Sequence, residues 1–233
     1  MSSPTSDQAP TRMPAQGTIA IGRTGAVPAD RARAVFGQVM GLVALTLASL
    51  TLGAYIGRHL SGGTGIFFFL AGFACIFGLS RASASGKDQL SITLLFALGL
   101  FLGLALGPVL SAYAKADPSA LPQAAGATGA FVAALGTLGY ATRRDLSSWA
   151  RTLLWALLAL IVFGVVAIFV SIPHANVIWS VAGLGIFGAF TIFDFNRLRR
   201  SGSESAVPIA ASIFLDILNV FLFMLALFGG GRD

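Results

Sequence analysis

Seven hydrophobic segments dominate this chain, and each is close to the roughly 20 residues that a helix needs to cross a bilayer. The predicted spans are 35–57, 64–81, 90–113, 124–141, 149–171, 176–198 and 206–229. Of the 233 residues 56% are hydrophobic and only 10% are charged, which is far from the composition of a soluble domain. The sequence therefore predicts an all-α polytopic membrane protein built as a bundle of seven transmembrane helices.

The amino-terminal region differs from the rest. Residues 1–33 are rich in Pro, Ser, Gln and Gly and show no apolar period, which predicts a disordered cytoplasmic arm ahead of a seven-helix transmembrane domain at 34–233. A cleavable signal peptide would place its apolar stretch near the start. Here the first such stretch begins around Val35 and is long enough to span, so we expect the first helix to be the anchor.

The basic residues indicate how the chain is oriented. With the amino terminus inside, 12 of the 15 Lys and Arg residues fall on the cytoplasmic side, and only Arg58, Lys115 and Arg232 fall outside. This split follows the positive-inside bias. We expect a multi-pass protein of the inner (plasma) membrane with its carboxyl terminus outside. The net charge of +6 is then explained by orientation in the bilayer, and no nucleic-acid partner is expected.

Small residues recur every four positions along the third segment, at Gly99, Gly103, Gly107 and Ser111. This spacing lets helix backbones approach closely in lipid, so the third helix is predicted to be central or tightly clasped. Shorter pairs in the first segment, at positions 37 and 41 and positions 53 and 57, are better explained by the abundance of Gly in membrane helices.

Two aspartates, Asp194 and Asp216, lie within the last two hydrophobic segments. An ionised carboxylate is costly in lipid, so both are candidate functional residues. Each lies eleven residues from Ser205 in the predicted cytoplasmic turn. Equal distances from the turn of antiparallel helices mean similar depth, so we expect the two carboxyl groups to form a pair. The alternative is that Asp194, near the cytoplasmic end, pairs with Arg197 or Arg200.

Ser212 and Asn219 share a helix face with Asp216 and form a supporting polar stripe. Two carboxyl groups in contact and out of water cannot both ionise cheaply, so the pair is expected to share a proton and to sense pH. Once deprotonated, Asp194 and Asp216 would offer the hard oxygen ligands that Ca²⁺ prefers. Protons and Ca²⁺ would then compete for the same oxygens.

Other chemistry has little support in the sequence. Cys75 is the single cysteine, and His59 and His174 lie in predicted outer loops without partners at ligand spacing. Asp145 is read as a helix N-cap for the fifth span, with a cytoplasmic docking point as the alternative. We expect no enzyme and no cofactor, with Ca²⁺ only a permeant or transiently bound ion.

Three stretches carry a family resemblance. Phe-Asp-Phe-Asn at 193–196, Ile-Phe-Leu-Asp-Ile-Leu-Asn-Val-Phe at 213–221 and Leu-Ala-Leu-Phe-Gly at 225–229 resemble the carboxyl-terminal signature of the Bax inhibitor-1 (transmembrane BAX inhibitor motif) family. Gly-Thr-Leu-Gly-Tyr-Ala-Thr-Arg-Arg-Asp-Leu-Ser at 136–147 resembles the family segment that follows the fourth helix. With the helix count, the resemblance covers residues 35–229 and indicates a bacterial member.

The resemblance implies a bundle whose last helix is central and which acts as a pH-sensitive Ca²⁺ leak. Asp194 and Asp216 correspond to the family's pH-sensing dyad. An arginine at the inner end of the second helix latches the closed state in the family, and Arg81 is the nearest candidate. This chain has Phe193 and Phe214 where Tyr is usual, which removes two hydroxyl groups near the acids.

Two functions of different class follow. The first is a calcium channel of the leak type, gated by the dyad, whose partners are the bilayer, Ca²⁺ and H⁺. The second is a non-conducting modulator of stress survival or of a membrane-embedded AAA protease, the role given to bacterial relatives that lack the second aspartate. That modulator would act through the arm and the cytoplasmic loops.

Overall fold

The computed structural model describes residues 29–60, 62–170, 173–201 and 206–229. Within these ranges the chain forms seven α-helices and no strand, and all seven are long and apolar enough to cross a membrane. The helices are α1 (Ala29–Gly57), α2 (Gly62–Ala84), α3 (Asp88–Ala116), α4 (Ala120–Ala141), α5 (Trp149–Phe169), α6 (Ala175–Arg200) and α7 (Ala206–Gly229). The predicted seven-helix membrane fold is confirmed.

The largest boundary difference concerns α1. It begins at Ala29, inside the region predicted as a disordered arm. Residues 29–33 are Ala, Asp and Arg, and the alanines and arginines favour helix, so the helix continues past the apolar stretch toward the headgroup layer. The rest of the predicted arm, residues 1–28, lies outside the described residues.

Helix α7 is the centre of the bundle. It packs against α1, α2, α3, α4 and α6. Its buried side chains point in several directions around the helix, among them Ile209, Phe214 and Val220, none of which has any exposed surface. A membrane helix that is apolar on all sides and enclosed by protein has this pattern. The prediction that the last helix is central is confirmed.

Helices α1 and α3 pack backbone to backbone along the glycine repeat. A Cβ added at Gly99 would lie 2.6 Å from the carbonyl oxygen of Thr46, and one added at Gly103 would collide with the carbonyl of Leu50. Gly53 and Gly57 of α1 meet α3 equally closely, whereas positions 37 and 41 have nothing within 4 Å. The third helix is therefore tightly clasped, as predicted. The abundance of Gly explains positions 37 and 41, but that explanation is wrong for Gly53 and Gly57, which contact the α3 backbone.

Helices α4 and α6 form the other side of the bundle, and both pack against α7. Helix α5 lies against α6, where the indole Nε1 of Trp179 donates a hydrogen bond to the carbonyl oxygen of Leu160 at 3.3 Å. Because α1 is held against α3 and α4 against α6, the two groups of helices flank α7 from different sides.

Candidate functional site

The last two helices bring Asp194 and Asp216 together. Asp194 lies six residues before the end of α6 and Asp216 ten residues after the start of α7, and the two helices pack along each other. A side-chain hydrogen bond joins the two carboxyl groups, which are 4% and 5% exposed. Because a carboxylate can only accept, this bond requires a proton on one partner. The contact therefore forms only when at least one of the two acids is protonated.

The surroundings of the pair are apolar. Phe195 beside Asp194 is buried, and Ile213 and Val220 above and below Asp216 have at most 1% exposure. Among the described residues, no N–H or hydroxyl group donates a hydrogen bond to the buried Oδ2 atom of Asp216. Leaving a buried acceptor unpaired is costly, and more so when it carries charge. That oxygen therefore needs a proton, a water molecule or a cation to be satisfied.

The alternative partners of Asp194 lie elsewhere. Arg200 forms an ion pair with Asp145, with 2.7 Å between Nη2 and Oδ1. Arg197 is exposed, and its charge acts on Asp194 from a distance without such a pair. Asp194 is thus hydrogen-bonded to the other acid, Asp216, and forms no described ion pair with either arginine.

The predicted supporting residues are not joined to the pair by hydrogen bonds. Asn219 is half-buried, and its Nδ2 donates to the carbonyl oxygen of Leu215 on its own helix at 2.7 Å. Ser212 is also half-buried, and the described hydrogen bonds link neither residue to the aspartates. Arg81 is exposed in the last turn of α2. The roles of these three residues stay predictions.

Beside the pair lies a polar clasp that the sequence reasoning missed. We use this name for Asn196, Arg199 and Arg200 of α6 with the α4–α5 connection, residues 142–148. Asn196 has no exposed surface, and its Nδ2 donates to the carbonyl oxygens of Thr142 at 2.8 Å and of residue 144 at 3.1 Å. Arg199 donates to the same Thr142 oxygen at 3.0 Å. The clasp satisfies carbonyls that the end of α4 leaves without partners.

The second half of the clasp is charged. Arg200 Nη2 donates to Oδ1 of Asn196 at 2.6 Å as well as pairing with Asp145. The carboxyl of Asp145 also accepts hydrogen bonds from the backbone N–H and the hydroxyl of Ser147. The Arg200 guanidinium, together with these donors, holds the pKa of Asp145 well below its usual range. The clasp therefore remains charged at neutral pH.

The N-cap prediction for Asp145 is wrong. The N-cap position of α5 belongs to Ser148, which makes no side-chain cap bond, and Asp145 lies three residues earlier. Asp145 does not cap α5 because its carboxyl pairs with Arg200, which lies on α6 and not in the first turn of α5. Two of the stretches that carried the family resemblance, 136–147 and 193–196, meet in this clasp. Their joint presence was the signal that could have predicted it.

The acidic pair by itself offers few ligands for a metal ion. Within the described residues no group of three or more His, Cys, Asp or Glu side chains could hold a metal ion. The pair supplies at most four carboxylate oxygens, whereas Ca²⁺ takes about 6–8 oxygen ligands. Water or backbone carbonyls would have to complete the shell of any Ca²⁺ bound here.

The fold and site define a polytopic helical membrane protein with an acidic pair at its core, and comparison with known proteins gives the family. The family model described as inhibitor of apoptosis-promoting Bax1 matches residues 32–233. The chain belongs to the Bax inhibitor-1 family, and the resemblance found in the sequence is confirmed.

Its relatives include bacterial and viral proteins. An uncharacterized protein of Helicobacter pylori (strain ATCC 700392 / 26695) is 29% identical over 70% of each chain. An uncharacterized membrane protein of Vibrio cholerae is 30% identical over 69% of this chain and 72% of the relative. A Golgi anti-apoptotic protein of vaccinia virus (strain Lister) is 32% identical over 60% of this chain and 59% of the relative.

Proposed function

We propose that this protein is a pH-sensitive calcium (cation) leak channel of the inner membrane, gated by the Asp194–Asp216 pair. The observation that carries the proposal is the contact of two buried carboxyl groups on neighbouring spans, next to the central helix axis. Buried acids in membrane spans mark ion and proton pathways, because removing a carboxyl group from water is costly and such residues are kept where they serve a function. Family membership supports the same assignment.

The protonation state of the pair would set the conformation. With one shared proton, the hydrogen bond ties α6 to α7 and closes the path. Losing that proton leaves two carboxylates in contact, which repel each other and expose four oxygens to a divalent cation. The leak should therefore rise with pH, provided that the open state binds the proton less tightly than the closed state.

The position of the pair supports sensing from the cytoplasm. Asp194 is six residues from the end of α6, roughly 9 Å along a helix axis at about 1.5 Å per residue. The same end of α6 carries Arg197, Arg199 and Arg200, which the positive-inside bias assigns to the cytoplasmic side. Protons from the cytoplasm would then reach the pair over a short distance.

The test is Ca²⁺ flux into proteoliposomes of purified protein at a series of pH values. Asp194→Asn and Asp216→Asn should both abolish the pH dependence, because neither leaves two carboxyl groups to share a proton. Asp88→Asn is the matched control, since Asp88 is an exposed acid at the start of α3. Wild-type pH dependence in both dyad variants would overturn the proposal.

A non-conducting role in stress survival is the second candidate. It is favoured by the vaccinia relative, which is named a Golgi anti-apoptotic protein. The exposed cytoplasmic elements, including the clasp around Asp145, would then contact a regulated membrane protein such as a AAA protease. Cross-linking from this loop would capture that partner, and purified protein would show no Ca²⁺ flux at any pH.

A further inference from the structure

A large groove runs between α1 and α4 with α7 as its floor. Its volume is about 1430 Å³, which exceeds the roughly 300–1,000 Å³ of pockets for small molecules. The first wall extends along α1 from Arg33 to Arg58, the residue that follows the helix, and the α4 wall extends from Leu121 to Ala141. The groove therefore follows nearly the whole length of both helices.

The sequence of α4 explains why the groove stays open. Its groove-lining residues include a small side chain at every fourth position, Ala125, Gly129, Ala133 and Thr137, all of them exposed. A Cβ added at Gly129 would meet nothing within 4 Å. Helix α1 cannot close this space, because its backbone is locked against α3 by the glycine contacts. The gap is wide, apolar and built into the fold.

Each end of the groove carries an exposed arginine, Arg33 at the inner end and Arg58 at the outer end. They are 25 residues apart, Arg33 within α1 and Arg58 directly after its last residue, which is roughly 37 Å at about 1.5 Å per residue. The hydrocarbon core of a bilayer is about 30 Å thick, and about 40–45 Å with the headgroups. Each guanidinium therefore lies at the level of one layer of headgroups.

The surroundings of the two arginines leave them open to an anion. The guanidinium of Arg58 lies 4.1 Å from the ring centroid of Tyr55, and its Nε donates to Nε2 of His59 at 2.9 Å. These contacts orient the group without neutralising it. Neither Arg33 nor Arg58 takes part in an ion pair with any described residue.

We propose that this groove binds two anionic phospholipids, one from each leaflet, with their phosphates on Arg33 and Arg58 and their acyl chains along α4 and α7. Arginine suits phosphate because its planar group donates paired hydrogen bonds to two oxygens. Two cations at the two headgroup levels of a single apolar groove fit two lipids better than any other occupant. The inference does not depend on calcium conduction.

The groove also brings these lipids next to the acidic pair. Its floor contains Ile217 and Leu218, which follow Asp216 directly, and its inner end contains Phe195, which follows Asp194. Bound acyl chains therefore contact the helix that carries Asp216. The rival occupant is the α4 helix of a second copy, because small residues at this spacing also favour helix association.

The test measures phospholipid retained by full-length protein. The protein is extracted from nanodiscs of phosphatidylcholine with a minor fraction of phosphatidylglycerol, and bound phosphatidylglycerol is counted by native mass spectrometry. Arg33→Gln and Arg58→Gln should each lower its affinity about tenfold, the loss expected when a charge-assisted hydrogen bond is removed. Arg151→Gln and Lys115→Gln are matched controls, since both are exposed basic residues outside the groove and should bind as wild type.

A second pair of variants tests the apolar part. Ala133 and Ala134 are neighbouring exposed residues of α4, and only Ala133 lines the groove. With a photoreactive acyl chain on the phosphatidylglycerol, cross-links to α1 and α4 should fall severalfold in Ala133→Leu and persist in Ala134→Leu.

Two results would overturn the lipid site. One is an equal loss of phosphatidylglycerol in the two groove variants and in the two control variants, which would indicate a diffuse electrostatic effect. The other is a cross-linked dimer joined through α4 with no retained lipid, which would assign the groove to a second copy. Asp216→Asn should retain phosphatidylglycerol as wild type does, so a failure of the leak proposal leaves this result unchanged.

Discussion

Replacing Asn196 with alanine removes the side chain that joins α6 to the end of α4. Asn196 is fully buried, and its amide has two hydrogens for the carbonyl oxygens of Thr142 and residue 144, at 2.8 and 3.1 Å. Its Oδ1 also accepts from the charged Arg200 at 2.6 Å. Two neutral bonds at about 1 kcal/mol each and one charged bond at about 1.5 kcal/mol give a loss of about 3.5 kcal/mol.

Thermal unfolding in detergent measures this loss. For a chain of this size about 1 kcal/mol corresponds to roughly 2–4 °C, so Asn196→Ala should lower Tm by roughly 7–14 °C. Asn219→Ala is the matched control, because the half-buried Asn219 donates only within its own helix, to Leu215. Its effect should stay below about 1 kcal/mol. Equal shifts in the two variants would refute the reasoning, since the clasp would then contribute no more than a local bond.

Further consequences concern packing and charge. Gly103→Ala should destabilise the bundle by about 1–3 kcal/mol because the new methyl meets the α1 backbone, whereas Gly41→Ala should be neutral or stabilising; thermal unfolding separates them. Because Arg200 lowers the pKa of Asp145, the stability from this pair is present above the unfolded pKa of about 3.9 and is lost as pH falls further. Asp145→Asn should thus lower Tm at pH 7 but not in strong acid, and should leave the pH midpoint of Ca²⁺ flux unchanged. Trp179→Phe removes the indole bond to α5 and should speed amide hydrogen exchange in α5 at its hydrogen-bonded turn.

The spans and the contact between the acids were predictable because both depend on local quantities. Span number follows from hydropathy over windows of about 20 residues, and the positive-inside bias checks the count independently. The contact of Asp194 with Asp216 follows from their equal distance to one turn, since α6 and α7 are consecutive and antiparallel. The four-residue spacing of the α3 glycines also predicted close helix contacts, although the sequence did not show that α1 is the helix they contact.

The clasp and the groove were not predictable in this way because they depend on distant parts of the chain. Asn196 bonds to residues more than 50 positions earlier, and alone it looks like an ordinary polar residue near a helix end. Asp145 was assigned to the nearest helix, whereas the stronger partner, Arg200, comes from another helix. The groove is present because α1 packs against α3 and not against the small side chains of α4, and sequence spacing alone does not show which of these two helices α1 contacts.

The central claim is that Asp194 and Asp216 share one proton, and infrared difference spectroscopy observes that proton directly. Purified protein in lipid, titrated from acid to alkaline pH, should show a protonated-carboxyl band that disappears over the same pH range in which Ca²⁺ flux rises. Asp216→Asn should remove the band or shift its titration, while Asp88→Asn leaves it in place. A spectrum without such a band at any pH at which the channel is closed, or a band unaffected by both dyad variants, would contradict the account.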